Sequence, residues 1–258
     1  MANLRPVTTA HSLAPSQHHP MQLVHAIITS LERPERDYTS QQRMARANLH
    51  IWLQNLTPRL QRGDQSVYND HGAITNGLAY LSQWLFMDTL RNVRITWRAG
   101  VEDVKVAGYT ERSHNWPRNN YSQAPLGITI VARHRAYHTA DPAVAAAAIL
   151  SPVAHEACHA LVDMYGCTWG CAVCSWTGEN KPIIGVGGHG TAWHTLAYYI
   201  ERKLVDDNLG LVTLNRKEAA FIEAFRSKFY LDDHVIKDFF GGVDPVKQVQ
   251  EQRERELK

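Results

Sequence analysis

The pentapeptide His155-Glu156-Ala157-Cys158-His159 lies in a segment with strong helix signals. Asp141 is a favourable N-cap, Pro142 is tolerated at the first helical position, and the alanines that follow have high helix propensity. Residues four apart share one face of a helix, so the two imidazoles can reach one ion together. Glu156 projects about 100° around the helix, beside that ion rather than on it. The pattern predicts a metal-binding helix that runs to Gly166.

Pro152 stands inside this helical pattern, just before the first histidine. Proline has no backbone N–H to donate to the preceding turn of a helix. We therefore expect the helix to kink here, or to stop and restart with Ser151 as a new N-cap.

Two imidazoles beside a carboxylate favour hydrolytic zinc chemistry. Zinc prefers nitrogen and sulfur ligands, and a catalytic site keeps one of its four positions for water, whose pKa falls toward about 7. A neighbouring glutamate can then accept the proton. The site needs a further ligand, for which the candidates are His189, His194, Glu179 and Glu201. His189 is the best placed, because its flanking glycines allow a close backbone approach and the helix that follows gives it a rigid origin.

The remaining periodicities predict an α+β fold. Apolar residues recur at helical spacing in residues 41–56, around 78–90, after Gly188-His189-Gly190, and in 216–230. Alternating or strand-forming residues at 93–97, 104–110 and 128–131 predict a small sheet.

The composition along the chain suggests three regions. Residues 1–38 mix Pro, Ser, His and Thr, which indicates a mostly disordered tail with one short helix over residues 23–31. Order is expected to begin near Tyr38, and the folded domain is expected to span residues 39–230. Residues 231–258 are interpreted as a charged helical tail.

Composition and charge exclude several classes of protein. With 258 residues, 44% hydrophobic and 20% charged, the chain is neither disordered throughout nor too short for a core. A net charge of +2 is too mild to indicate nucleic acid by electrostatics. No run approaches the ~18 apolar residues of a membrane span, and the first twenty residues lack the apolar core of a secretory signal. We therefore expect an intracellular protein, in the nucleus or cytoplasm, that is not secreted and has no membrane partner.

The segments HEACHALVD and GGHGTAWHTLAYYIE together resemble the SprT-like zinc metallopeptidase family, to which the DNA-dependent protease Spartan belongs. The similarity covers about residues 40–205, and fungal-type members carry a comparable cysteine-containing loop between the two motifs. It implies a zincin-like domain, in which a small sheet packs on the HExxH helix and a further helix bears a ligand. The ligands implied for zinc are His155, His159 and His189, with Glu156 as the general base and Trp193 in the family's aromatic position.

Three cysteines follow the HExxH helix. Cys167, Cys171 and Cys174 could hold a second, structural zinc if Cys158 or another residue completed the site. The alternative is a loop with three reduced thiols. Cys158 itself fits the role of a small buried apolar residue on the helix.

His194 and several arginines are further candidates for function. His194 could stabilise a developing oxyanion, or it could be a surface residue. Arg133 and Arg135 are candidate DNA contacts, joined by Arg112 and Arg118, which flank an aromatic loop. The alternative for these arginines is a solvated loop with incidental positive charge.

The sequence therefore predicts a zinc-dependent endopeptidase that hydrolyses protein substrates and has a DNA partner if the family's dependence on DNA carries over. One alternative is a non-catalytic module that uses zinc for folding and binds DNA or protein. Another is a zinc hydrolase of a non-peptide substrate. The sequence indicates no oligomeric state.

Overall fold

The computed structural model describes residue 13 and residues 18–91, 93–98, 108–112, 126–131, 141–166, 183, 188–209 and 212–227, with scattered positions between 237 and 255. Within these residues the fold is α+β, mostly helical with a small three-stranded sheet. The helices are α1 (Pro20–Leu31), α2 (Ser40–Gln61), α3 (His71–Leu85), α4 (Pro142–Tyr165), α5 (Thr191–Asp206) and α6 (Arg216–Ser227). The strands are β1 (Arg94–Arg98), β2 (Gly108–Arg112) and β3 (Leu126–Val131). Two short 3-10 helices cover Glu35–Asp37 and Gln65–Asn69.

Helix α1 corrects the predicted N-terminal boundary. The sequence placed the start of order near Tyr38, but α1 begins at Pro20 with the His19 side chain as its N-cap. Its residues Leu23 and Ile27 are almost fully buried, and the helix contacts α4 and α5. Apolar residues at helical spacing gain little stability alone, so the tertiary partners of α1 make this segment part of the core.

Helices α2 and α3 pack closely against each other. Thr39 and Gln42 form a capping box at the start of α2, which ends five residues beyond the predicted Leu56. The Trp52 side chain donates a hydrogen bond of 2.7 Å to the Ala73 carbonyl of α3. The prediction for α3 was displaced toward the C-terminus, because Asp70 caps this helix and starts it at His71 rather than near residue 78.

The small sheet has the strand order β1-β3-β2. β1 runs parallel to β3, and β2 runs antiparallel to it. The central residue Ile128 is fully buried and lies between Ile95 of β1 and Thr110 of β2 in the register. Both β2 and β3 lie against α4, so the sheet covers the helix that carries the HExxH pentapeptide.

Helix α4 is continuous across Pro152. The predicted restart at Ser151 is therefore wrong, whereas the predicted cap at Asp141 and the end before Gly166 are confirmed. Ser151 instead donates its hydroxyl to the Thr213 carbonyl of the loop before α6. Proline removes only one helix hydrogen bond, and extensive burial of α4 among its neighbours sustains the rest of the helix.

Length and composition alone would allow α4 to cross a membrane, since its most apolar 18-residue window has a mean hydropathy of 1.3. However, 78% of that window is buried inside the fold. A mostly buried apolar helix is what the core of a globular domain contains.

Candidate metal centre

Three histidines from two parts of the chain meet at one point. Helix α4 supplies His155 and His159 one turn apart, and the segment that enters α5 supplies His189. The Nε2 atoms are 3.3 Å apart between His155 and His159, 3.0 Å between His159 and His189, and 3.2 Å between His155 and His189. Among the residues that the structure describes, these three form a cluster that could hold a metal ion.

The imidazoles are prepared to act as neutral ligands. Nδ1 of His155 lies 2.9 Å from the Leu214 carbonyl oxygen, so this nitrogen carries the proton and donates it, while Nε2 keeps its lone pair. Burial lowers the pKa of His155 to about 4 and holds the pKa of His159 well below its usual value. Both rings are therefore uncharged near neutral pH, the form that binds metals.

Trp193 packs against all three imidazoles. This residue of α5 is fully buried, and its ring centroid lies 4.6 Å from His155, 5.4 Å from His159 and 4.7 Å from His189. A rigid aromatic wall of this kind restricts the rotamers of the rings that it touches. The aromatic position therefore shapes the site without offering a ligand atom.

Gly188 allows the His189 segment to approach α4. Its φ of +82° is rarely adopted by residues with a side chain. A Cβ atom at this position would lie 3.1 Å from Nδ1 of His159. The conformation favours glycine and the contact leaves little room for a side chain, as expected for a glycine that flanks the predicted third ligand.

Glu156 turns one carboxylate oxygen toward the histidines. Its Oε1 lies 3.9 Å from Nε2 of His155, and its Oε2 accepts a 2.8 Å hydrogen bond from the Thr110 hydroxyl on β2. Burial raises the pKa of Glu156 to about 7, although the bond from Thr110 opposes this shift, and nearby Asp163 adds to it. The carboxylate can therefore exchange a proton near neutral pH without being a member of the ligand cluster.

His194 lies one residue beyond Trp193 and is fully buried, which excludes the surface alternative. Its ring contacts Trp193 at 5.1 Å and Phe240 at 5.7 Å between centroids. Burial lowers the pKa of His194 to about 3, with the charge of Arg216 as the second cause. Phe240 belongs to the predicted C-terminal tail, and this residue at least packs against the domain.

Glu201 was a candidate ligand but has other partners. Its Oε1 accepts a 2.6 Å hydrogen bond from the Leu214 backbone N–H, and its Oε2 accepts a 2.5 Å bond from Arg216. Both carboxylate oxygens are thus engaged by the segment that leads into α6.

Three residues that support the site were not predicted from the sequence. Thr110 binds the carboxylate of Glu156, Leu214 accepts from His155, and Glu223 of α6 accepts the backbone N–H of His189 at 3.3 Å. Glu223 is fully buried, as are its neighbours Ala219 and Ala220 one turn earlier. A carboxylate on the apolar face of α6 was a usable signal for Glu223. A threonine in a strand and a loop carbonyl give no signal of this kind.

Several predicted site residues lie outside the described part of the chain. These are Cys167, Cys171, Cys174, Glu179, Arg118, Arg133 and Arg135. Arg112 ends β2, and Cys158 is fully buried in α4, consistent with a small apolar residue. No protein-family model, curated protein or solved structure matches this chain.

Proposed function

We propose that this protein is a zinc-dependent endopeptidase of the SprT-like type. The observation that carries the proposal is the triangle of Nε2 atoms from His155, His159 and His189, with edges of 3.0 to 3.3 Å. Tetrahedral zinc with Zn–N bonds of about 2.0 to 2.1 Å needs ligand nitrogens about 3.3 to 3.4 Å apart. The observed distances are close to these values, so the three imidazoles would hold zinc and would leave a fourth position for water or substrate.

The donor set favours zinc over the hard cations. Calcium and magnesium select carboxylate, carbonyl and water oxygens, whereas three neutral imidazoles suit zinc and its transition-metal neighbours. Non-haem iron oxygenases use two histidines and one carboxylate. Here the carboxylate of Glu156 stands beside the cluster, with one oxygen bound to Thr110.

Glu156 has the position of a general base. When bound, zinc supplies Lewis acidity that lowers the pKa of water and polarises a carbonyl group. Oε1 of Glu156 would accept a proton from the attacking water, since Oε2 is bound by the Thr110 hydroxyl. As the water oxygen bonds to the peptide carbonyl carbon and the C–N bond breaks, Glu156 would return that proton to the leaving nitrogen.

The placement of Glu156 weighs against a purely structural zinc module. A site that holds an ion only for folding uses four protein ligands and has no need for a base beside it. The choice of a peptide substrate is supported by the two SprT-like sequence motifs. The resemblance also implies a DNA partner, for which Arg133 and Arg135 are the candidate contacts because they are basic residues near aromatic side chains in the sequence. A zinc hydrolase of another substrate is the second candidate.

The proposal is tested by metal analysis and proteolysis with matched variants. Wild-type protein is expected to retain one zinc bound by the three histidines, or two if the cysteine loop also binds, and to cleave a protein substrate. Cleavage is measured both with and without single-stranded DNA, and activity that is indifferent to DNA would contradict the DNA partner. Glu156→Gln should retain zinc but lose roughly 10²- to 10⁴-fold in turnover, because only the proton acceptor is removed. His189→Ala should lose the catalytic zinc. The control variant His194→Gln should retain it, because His194 is a buried histidine of the same region that is not among the expected ligands. Full hydrolysis by Glu156→Gln, or equal zinc retention by both histidine variants, would contradict the assignment.

A further inference from the structure

Residues 212–215, in the loop between α5 and α6, form a backbone hydrogen bond with the histidine cluster. Val212 and Leu214 are buried, whereas Thr213 and Asn215 are exposed, so the loop anchors two of its side chains in the core. The Leu214 carbonyl oxygen accepts a 2.9 Å hydrogen bond from Nδ1–H of His155. This bond selects the tautomer of His155 in which Nδ1 carries the proton. Nε2, which faces the other two histidines, then keeps its lone pair.

Glu201 holds the same loop from the other side. Its Oε1 accepts the N–H of Leu214 at 2.6 Å, so one residue of the loop is bound through N–H to Glu201 and through C=O to His155. The Leu214 N–H lies in the interior, where the loss of its acceptor would leave a costly unpaired donor. The loop would then move to find another partner, and its carbonyl would move with it.

A second tie joins the loop to α4. Ser151, one turn before His155, donates its hydroxyl to the Thr213 carbonyl. Two successive carbonyls of the loop therefore accept hydrogen bonds from two side chains on one face of α4. This pairing sets the height of the loop along α4, and Glu201 fixes its distance from α5.

The partner of the second oxygen of Glu201 is Arg216, which opens α6. The Arg216 guanidinium lies 5.2 Å from the ring centroid of Tyr198 and 5.2 Å from that of Phe240. The two oxygens thus serve different purposes. Oε1 binds the backbone of the loop next to the histidine cluster, and Oε2 forms the ion pair that joins α5 to the start of α6.

We propose that Glu201 is a positioning residue for the metal site: through the Leu214 backbone it keeps the His155 ring in the Nδ1-protonated tautomer, with Nε2 turned to the ion. The inference rests on the metal site of the proposed function. It assigns a role to a residue that does not itself touch the ion. The competing explanation is that Glu201 only stabilises the fold through its ion pair with Arg216.

Three variants separate these explanations. Glu201→Ala removes both acceptors. Glu201→Gln keeps an amide oxygen that can accept from the Leu214 N–H but loses the charge that pairs with Arg216. Arg216→Gln removes the ion pair and leaves both carboxylate oxygens of Glu201 in place.

The first measurement uses metal-free protein at pH 7.5. Two-bond ¹H–¹⁵N correlation spectra report which ring nitrogen of each histidine carries the proton, and the His155 signals are assigned by comparison with His155→Gln. Wild type, Glu201→Gln and Arg216→Gln should show the Nδ1-protonated form of His155. Glu201→Ala should show a mixture of tautomers. The second measurement is zinc affinity by competition with a chromophoric chelator, at a temperature well below unfolding.

We expect Glu201→Ala to bind zinc roughly 10- to 100-fold more weakly, the usual effect of losing an outer partner of a metal-ligating histidine. The two other variants should stay within about threefold of wild type. Equal weakening in Arg216→Gln and Glu201→Ala would assign Glu201 to the fold alone and overturn the proposal. If Glu201→Ala does not fold, a His155 tautomer that changes in Glu201→Gln would overturn it equally. If wild type binds no zinc, the proposed function fails, whereas the tautomers of the metal-free protein still test Glu201.

Discussion

At the scale of single residues, the Thr110 hydroxyl determines which carboxylate oxygen of Glu156 faces the histidines. The two carboxylate oxygens are distinguished by one hydrogen bond, because the Thr110 hydroxyl occupies Oε2 and leaves Oε1 facing the histidine cluster. A carboxylate without this bond could rotate and present either oxygen at varying distances. Thr110 thus links the outer strand β2 of the sheet to the proposed base on α4.

Replacement of Thr110 by valine should slow turnover without removing the metal. The substitution keeps the shape of the side chain but removes the hydroxyl, whose hydrogen bond to a charged group contributes about 1.5 to 3 kcal/mol. We expect kcat to fall roughly 10-fold with KM and zinc content little changed. Steady-state proteolysis and metal analysis measure both. Thr110→Ser, which keeps the hydroxyl, should recover most of the activity, and a serine variant as slow as the valine variant would rule out this role.

At the level of elements, the site is made by the junction of α4 with the start of α5. Helix α4 supplies His155 and His159 at a spacing that any regular helix provides. The position of His189 depends on how closely the turn before Thr191 approaches α4, and Gly188 sets that distance. Trp193, three residues into α5, then closes the space behind the imidazoles.

Gly188→Ala should weaken zinc binding more than it destabilises the fold. Alanine at a φ of +82° costs about 1 kcal/mol, and its Cβ would press on the His159 ring, displacing a ligand. Gly63→Ala is the matched control, because Gly63 has a φ of +72° and no atom within 4 Å of an added Cβ. Both variants should lose similar stability in urea unfolding. Only Gly188→Ala should lose about 10-fold or more in zinc affinity, and unchanged affinity would show that the loop adapts.

For the molecule as a whole, the core extends into the N-terminal segment. Helix α1 contacts α4 and α5, and Ile27 is fully buried within this arrangement. The predicted tail therefore contributes to the same core that positions the histidines.

Ile27→Ala should destabilise the protein by about 2 to 5 kcal/mol, the range for deleting a buried aliphatic side chain. Ile51→Ala is the control, since this isoleucine of α2 is 52% exposed and its truncation should change stability by less than about 0.5 kcal/mol. Chemical denaturation of the two variants compares them directly. If both variants lost less than about 0.5 kcal/mol of stability, α1 would be a loosely attached tail and not part of the core.

The metal-free protein should lose stability in mild acid. Burial lowers the pKa of His155 to about 4 and of His194 to about 3, and it also lowers that of His159. A histidine with a depressed folded pKa contributes stability that is present above pH 6.5 and is lost as the pH falls toward the folded value. Glu156, whose pKa is raised to about 7, acts in the opposite direction between pH 7 and 4.5.

Three histidines with lowered pKa values oppose one glutamate with a raised pKa, so the free energy of unfolding should fall from pH 6.5 to 4.5. Each histidine not offset by the glutamate contributes up to about 1.4 kcal/mol per pH unit. Urea unfolding of chelator-treated protein at several pH values measures this slope. His194→Gln should reduce this pH slope by about the contribution of one histidine. A stability that is flat or rises on acidification would show that the buried histidines do not stay neutral.

The sequence by itself determined the parts of this protein that depend on local spacing. The cap at Asp141, the helical spacing of His155 and His159, and the glycines around His189 are local properties of a short segment. For that reason the helix that carries the pentapeptide and the choice among the candidate ligands could be predicted before any contact was known.

Only the tertiary structure decided the rest. The apolar repeat of α1 has the same local appearance in a frayed tail and in a core, and the difference is the presence of α4 and α5 more than 100 positions away. Thr110, Leu214 and Glu201 likewise act through partners that chain folding brings to them. Hydrogen bonds between distant segments leave no periodic trace in a sequence, because they depend on where two backbones meet in space and not on which residues precede or follow them.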